Sequence, residues 1–158
     1  MLLHGSRKLN DDRHHTDEEV KAEDELWYGL QRRAWDTIRK ADPNWHSNGT
    51  DIATHRRKNF YSVGLRGVGT GEYPFANFDS DTLELITMEM LLGEDWRQYL
   101  GDDMDSGLNY IPSEWYGNMY IIAYPDTPTD RGYWHADSVR FSVPIEAVNE
   151  KYRDHYDQ

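Results

Sequence analysis

The chain has 158 residues and no cysteine, and 17 Lys and Arg against 29 Asp and Glu give a formal net charge of −12. This length suits one domain with one core, and the lack of cysteine excludes disulfides, thiolate nucleophiles and cysteine zinc sites. The charge argues against wrapping nucleic acid, which requires a basic face, and fits solubility, mimicry of a nucleic acid, or a passage through which DNA slides.

The N-terminal residues 1–15 are polar after Leu3, and we interpret them as an arm. They lack the long apolar core of a signal peptide. No run in the chain approaches the ~20 apolar residues of a membrane span. We therefore expect a soluble protein with no membrane partner, made in the cytoplasm.

A long amphipathic helix is predicted from residue 16 to about residue 40. Thr16 and Glu19 form a capping-box pattern at its start. Five apolar residues follow at helical spacing and predict the face laid on the core: Val20, Trp27, Leu30, Ala34 and Ile38. The opposite face carries polar residues: Lys21, Asp24, Gln31 and Arg32.

Residues 43–58 are predicted to form a polar loop that ends in a basic cluster, 56–58. A strand follows, because Tyr61, Val63 and Leu65 alternate with smaller or polar residues. The glycines between residues 64 and 71 fit neither a phosphate loop nor a dinucleotide motif, and they indicate a turn or bulge.

The segment Thr82–Leu92 has two interpretations. Its apolar residues fill both faces of a strand, which predicts a buried partner of the preceding strand in a hairpin. Asp81 with Glu84 as a capping box, and Gly93 as a C-cap, instead favour a helix. We predict the strand and keep the helix as the alternative.

A short second helix is predicted over residues 94–100. The acidic segment after it has some features of a calcium-binding loop. Oxygen ligands occupy the first, third, seventh and twelfth positions of a calcium loop: Asp103, Asp105, Asn109 and Glu114. The required glycine is one place early and the fifth position lacks an oxygen side chain, so we predict no metal site.

Two further strands are predicted at 119–124 and 133–145, followed by a charged tail or short helix over 146–158. Together the elements predict an α+β fold, with one four-stranded, mostly antiparallel sheet packed against the long N-terminal helix and the second short helix. The predicted domain covers residues 16–145.

Two short motifs resemble those of ADP-ribosyltransferases. Residues 2–7, LLHGSR, resemble the first strand motif of that family, and residues 69–76, GTGEYPFA, are similar to its second motif. The resemblance implies that His4 and Tyr73 hold NAD. The comparable late strand offers Asp137 where the family has a glutamate.

The order of elements over residues 17–145 resembles the tail terminator proteins of long-tailed bacteriophages. The resemblance rests on a first helix, a hairpin with a projecting loop at residues 70–74, and a final segment at 130–143. It implies a non-enzymatic ring, commonly a hexamer, that caps the tail tube and joins it to head completion or connector proteins in the virion. It implies no cofactor, with DNA only as passing cargo.

In such a ring, exposed aromatic residues are expected at contacts with neighbouring subunits or with the tube, because aromatic residues are enriched at interface cores. The predicted interface residues are Tyr73, Phe75, Phe78 and Trp134. Internal packing of these aromatic residues is the alternative. Acidic residues in predicted loops are the lumen candidates: Asp79, Asp81, Asp102, Asp103 and Asp105.

A tail terminator or neck ring is thus the predicted function. The alternative is an NAD-using enzyme similar to the ADP-ribosyltransferases. The second alternative is an acidic inhibitor that mimics DNA, although the acidic residues are spread along the chain.

Overall fold

The computed structural model describes residues 15–41, 47–67, 74–109, 113–115, 118–125 and 139–153. The helices are α1 (Asp17–Ala41), α2 (Met88–Leu92) and α3 (Arg97–Leu100), with two 3-10 helices at Ile145–Ala147 and Glu150–Tyr152. The strands are β1 (Ser47–Arg56), β2 (Phe60–Gly67), β3 (Phe75–Asp79), β4 (Met104–Asn109), β5 (Ser113–Trp115), β6 (Asn118–Pro125) and β7 (Val139–Pro144).

The long helix α1 begins where the sequence predicts. The Thr16 backbone amide donates to Glu19 Oε1 and the Glu19 amide donates to Thr16 Oγ1, both over 3.1 Å. These two bonds are the predicted capping box. Acidic residues in the first turn and basic residues in the last turn also complement the helix dipole.

The first sheet has the order β1-β2-β3 and is antiparallel throughout. α1 lies on one of its faces. The buried residues of this first core cluster come from α1 and from β2 and β3: Trp27, Leu30, Ala34, Ile38, Val63, Leu65, Ala76 and Phe78. Of the predicted apolar face of the helix, only Val20 is exposed, at 41%.

The prediction of a loop over residues 43–58 is wrong, because Ser47–Arg56 forms β1 along the edge of β2. Ile52 packs against the first cluster and Thr54 is buried. The polar composition of β1 gives no strand signal in the sequence. Its stability comes from backbone pairing with β2 and from packing, which override local propensity.

The prediction of a strand over Thr82–Leu92 is also wrong. β3 pairs with β2 instead, and the chain turns after it, with Leu83 in the left-handed region at φ 62°. Leu85 makes one isolated bridge to Phe78. The helical alternative holds for Met88–Leu92, where the Thr87 side chain accepts a hydrogen bond from the Met90 amide over 3.3 Å.

The second sheet is built around β6, which pairs antiparallel with β4, β5 and β7. β5 and β7 pair with the same part of β6 and therefore lie on opposite edges of it. A second core cluster joins this sheet to α2, α3 and the C-terminal segment. The predicted single four-stranded sheet is thus wrong, because the turn after β3 and the two short helices separate the strands into two antiparallel sheets.

The C-terminal segment packs into the second cluster. Val148 and Tyr152 are buried there, at 1% and 3% exposure. The packed part of the chain therefore continues past Ile145, where the predicted domain ends. Within the described part of the chain, no helix combines the length and the apolar composition needed to cross a membrane.

Candidate functional site

α1 carries the large exposed apolar side chains of the described chain, and two of them, Tyr28 and Trp35, lie on a side of the helix away from the core residues, here called the outer side. Val20, Tyr28 and Trp35 are 41%, 42% and 40% exposed. An open groove of about 650 Å³ runs along the N-terminal half of this side, and its described lining residues are Asp17, Val20, Lys21, Asp24, Glu25, Tyr28 and Gly29. Exposed aromatic residues beside charged ones are typical of protein-protein contacts.

The charges of α1 are divided along its length. The N-terminal half carries most of the acidic residues: Asp17, Glu18, Glu19, Glu23, Asp24 and Glu25. The C-terminal half carries most of the basic residues: Arg32, Arg33, Arg39 and Lys40. The side chains of α1 therefore form a charge gradient that is negative at the N-terminal end, opposite in sign to the backbone dipole that it complements.

Several of these charges make contacts within the subunit, among them Glu19 in the capping box at the start of α1. Glu23 pairs with Arg56 of β1, and the Arg33 guanidinium donates to the Leu83 carbonyl oxygen. The Arg39 guanidinium lies 5.0 Å from the centre of the Trp35 ring, a cation-π contact on the outer side.

A second polar cluster surrounds Asp79 at the end of β3. Asp79 Oδ1 accepts hydrogen bonds from the amides of Asp81 and Thr82 over 2.8 and 3.0 Å. Asp79 Oδ2 accepts from the Tyr152 hydroxyl over 2.6 Å and lies 2.7 Å from Lys151 Nζ. The carboxylate thus ends the strand, shapes the turn after it and binds the C-terminal segment.

The pKa values in this cluster follow from these contacts. Burial by itself raises the pKa of Asp79, but the hydrogen bonds from Lys151, Tyr152 and two amides outweigh burial and hold this pKa well below its usual range. The hydrogen bonds to Asp79 and Asp81 raise the pKa of Lys151. Burial and the Asp79 hydrogen bond raise the pKa of Tyr152 to about 12. All three groups therefore keep their ordinary charges at neutral pH, as a structural clamp requires.

A polar row crosses the first sheet on the face away from α1. His55, Ser62 and Asn77 are neighbours in the registers of β1, β2 and β3. The buried Ser62 hydroxyl donates to Asn77 Oδ1. Since this bond uses the only proton of the hydroxyl, the arrangement does not place Ser62 as a nucleophile activated by His55.

The ring of Phe75 covers the next row of the same face. It stacks on His55 with ring centres 6.2 Å apart, and it lies so close to Gly64 that an added Cβ would be 2.6 Å from its atoms. The pKa of His55 is lowered by burial and by the nearby Arg57 charge. This end of the sheet is therefore closed by an aromatic ring over a glycine.

The predicted interface residues are divided between two situations. Tyr73 and Trp134 lie outside the described residues, and so does His4, which the enzyme alternative assigns to NAD binding. Phe75 and Phe78 are buried within the subunit, at 6% and 0% exposure, so they follow the alternative of internal packing. The reason is that both belong to β3, whose two faces are covered, and not to the loop before it.

Among the lumen candidates, Asp79 is corrected by its burial in the clamp, at 2% exposure. Asp81, Asp102 and Asp103 are exposed, and Asp81 also lies 3.1 Å from Lys151 Nζ. Asp105 belongs to β4, and its side chain lies outside the described residues.

The segment weighed as a calcium loop contains β4 instead of a continuous loop. Over the described ranges, no three His, Asp or Glu side chains come together in a way that could hold a metal ion.

The exposed rings of Tyr28 and Trp35 are absent from the sequence prediction, which assigned only polar residues to this side of α1. A signal was present, because Lys21, Tyr28 and Trp35 recur every seven residues. A seven-residue spacing follows one side of a helix as well as the core pattern does.

Comparison with protein-family models, with curated protein sequences and with solved structures found no match for this chain.

Proposed function

We propose that this protein is a structural ring component of the tail terminator or neck type, which caps a phage tail tube and joins it to the head connector. The observation that carries the proposal is the unit formed by α1 and the β2–β3 hairpin. α1 packs on the two strands, and residues 68–73 join them. The resemblance has a helix and a hairpin in this part of the chain, but here β1 lies between α1 and β2, and the second strand of the hairpin is Phe75–Asp79 instead of the expected Thr82–Leu92.

The charge supports the same proposal. A net charge of −12 disfavours binding of DNA phosphates and suits a wall past which DNA moves, within about one Debye length, ~8 Å at physiological salt. The exposed Asp102 and Asp103 remain lumen candidates. The partners under this proposal are further copies of the chain, the tail tube protein and the head completion or connector protein.

Electron microscopy of the purified chain mixed with tail tubes tests the proposal. The expected result is a ring with a central hole at one end of each tube. Tyr73→Ala and Trp134→Ala are expected to reduce capping, whereas Glu94→Gln serves as an exposed control that leaves it unchanged. A strictly monomeric protein in light scattering at high concentration, with tubes present as well as absent, would contradict the proposal.

Two other outcomes would replace it. Binding or hydrolysis of NAD that is lost in His4→Ala would indicate the enzyme alternative. Salt-sensitive competition with DNA for a nuclease would indicate the mimic.

A further inference from the structure

We propose that α1 binds α1 of a second copy of this chain, with the two helices antiparallel and related by a two-fold axis at Tyr28. The inference goes beyond the proposed function and does not depend on a ring, because a two-fold pair is closed by itself. It concerns the outer side of α1 and no residue of the hairpin.

The spacing of the outer side fits a helix pair. Positions separated by four and three residues in turn form a straight seam along a helix that packs on another helix. Six residues of α1 occupy such a seam: Asp17, Lys21, Asp24, Tyr28, Gln31 and Trp35. With 25 residues, α1 is about 37 Å long, which offers room for several turns of contact.

The charges of α1 favour an antiparallel over a parallel arrangement of the two helices. In an antiparallel pair centred on Tyr28, the seam residues Asp24 and Asp17 face Arg32 and Arg39 of the second copy, two residues that flank the seam. The two-fold axis repeats each contact once. These contacts join the acidic half of each helix to the basic half of the other, which favours the encounter of two otherwise acidic molecules.

The aromatic residues fall at matching places in the same pair. The two Tyr28 rings meet at the axis, and Lys21 faces Trp35 of the second copy, where an ammonium group can lie over an indole ring. Tyr28 and Trp35 are each about two-fifths exposed in the single subunit, so pairing would remove large apolar surfaces from water.

A parallel pair is disfavoured by the same residues. It would set Asp24 against Asp24 and Arg32 against Arg32, and contacts between like charges are destabilising. Among the described residues, Asp24 and Arg32 make no ion pair within the subunit.

Sedimentation equilibrium of charge-reversal variants tests the pair. Asp24→Arg and Arg32→Asp are each expected to weaken dimerisation about 10- to 100-fold, because two attractive contacts become repulsive. The double variant Asp24→Arg with Arg32→Asp is expected to restore the dimer. Circular dichroism checks that each variant folds. A wild-type monomer at every concentration, or a dimer unaffected by the single variants, would overturn the proposal.

Disulfide crosslinking tests the direction, because the chain has no cysteine of its own. Tyr28→Cys is expected to give a linked dimer on oxidation, since this position meets itself at the axis. Lys21→Cys and Trp35→Cys are each expected to stay unlinked alone and to link when mixed. Ala22→Cys, exposed elsewhere on α1, is the control that should not link. Efficient linking of Lys21→Cys alone would indicate a parallel pair and overturn the antiparallel one.

The two proposals fail separately. If the wild type forms the α1 dimer but does not cap tubes, the ring proposal is wrong and the helix pair stands. If the wild type never forms the α1 dimer, and Asp24→Arg caps tubes as well as the wild type does, the helix pair is wrong and the ring proposal stands.

Discussion

Asp79 shows how one carboxylate can hold together segments that are distant in the sequence. It is almost fully buried, yet both of its oxygens accept hydrogen bonds, from two amides and from a tyrosine hydroxyl, and a lysine ammonium lies beside it. A buried charge with this number of partners stabilises the fold as long as every partner remains. Removal of the charge leaves the partners buried with no acceptor of the same strength.

Asp79→Asn is therefore expected to lower the free energy of unfolding by about 3 kcal/mol, since the amide loses the ion pair and turns donor hydrogens toward Lys151. The measurement is urea unfolding followed by circular dichroism. Asp81→Asn is the matched control, because Asp81 is exposed and contacts the same lysine, and its expected cost is below about 1 kcal/mol. Equal losses in the two variants would show that burial of Asp79 adds nothing.

The contribution of Asp79 also depends on pH. Its pKa is lower in the folded chain than in the unfolded chain, so the unfolded chain takes up the proton first as the pH falls. The stabilisation is fully present above the unfolded pKa, about pH 4, and is lost as the pH decreases further toward the folded pKa. The difference in unfolding free energy between the wild type and Asp79→Asn is therefore expected to be constant from pH 5 to 8 and to shrink below about pH 4.

Two glycines allow a test in which the same substitution has opposite signs. A Cβ at Gly64 would lie 2.6 Å from the Phe75 ring, whereas a Cβ at Gly29 on α1 would meet nothing within 4 Å. Gly64→Ala is expected to destabilise by about 1–3 kcal/mol through overpacking. Gly29→Ala is expected to stabilise by about 0.5–1 kcal/mol through helix propensity. Thermal unfolding measures both, and a neutral Gly64→Ala would mean that the Phe75 ring moves aside freely.

At the scale of elements, the parts that the sequence predicts well are those whose signals are local. α1 has its capping box and its core spacing within the helix itself, β2 has an alternating apolar pattern, and β6 has a continuous one. The parts that fail depend on distant residues. β1 is recognisable only through its pairing with β2, and Thr82–Leu92 changes from the predicted strand because Asp79 turns the chain before it.

The same reasoning explains the outcome for the candidate residues. A pattern of aromatic residues predicts that they matter but not which side of a strand is open. Phe75 and Phe78 are covered on opposite faces of β3, whereas Tyr28 and Trp35 of α1 remain exposed. Which face is covered is a property of the packed molecule, and a single sequence does not encode it in a short pattern.

The contribution of the capping box of α1 to the free energy of unfolding can be measured. Thr16→Ala removes the acceptor for the Glu19 amide, and it is expected to lower the free energy of unfolding by about 1 kcal/mol. Thr16→Ser keeps the acceptor and is expected to cost less than half as much, which makes it the matched control. Chemical denaturation of the two variants gives the comparison, and identical values would show that the cap contributes nothing to the folded chain.

At the scale of the whole molecule, β2 connects the two core clusters. Val63 and Leu65 belong to the cluster under α1, whereas Phe60 belongs to the second cluster and contacts the Tyr152 ring edge-on, with ring centres 6.0 Å apart. One face of β2 therefore packs in the first cluster and the other face packs in the second. The segment that carries Tyr152 is one of the links between the two clusters.

The C-terminal segment makes three further bonds across the molecule. The Asn149 amide donates to the Leu91 carbonyl and its side chain donates to the Met90 carbonyl, at the end of α2, over 2.8 and 3.0 Å. The Asn59 side chain, just before β2, donates to the Lys151 carbonyl over 2.8 Å. These bonds satisfy backbone groups that would otherwise need other partners.

A chain that ends at Ile145 is therefore expected to lose cooperative folding. It would lack two buried side chains worth about 1.5–3 kcal/mol each and would leave the Asp79 carboxylate without Tyr152 and Lys151, a combined loss similar to the stability of a whole domain. A chain that ends at Arg153 keeps all of these contacts and is the matched control. Near-ultraviolet circular dichroism and urea unfolding of the two chains give the test. A sharp unfolding transition in the shorter chain at the midpoint of the control would show that the two clusters are stable without this segment.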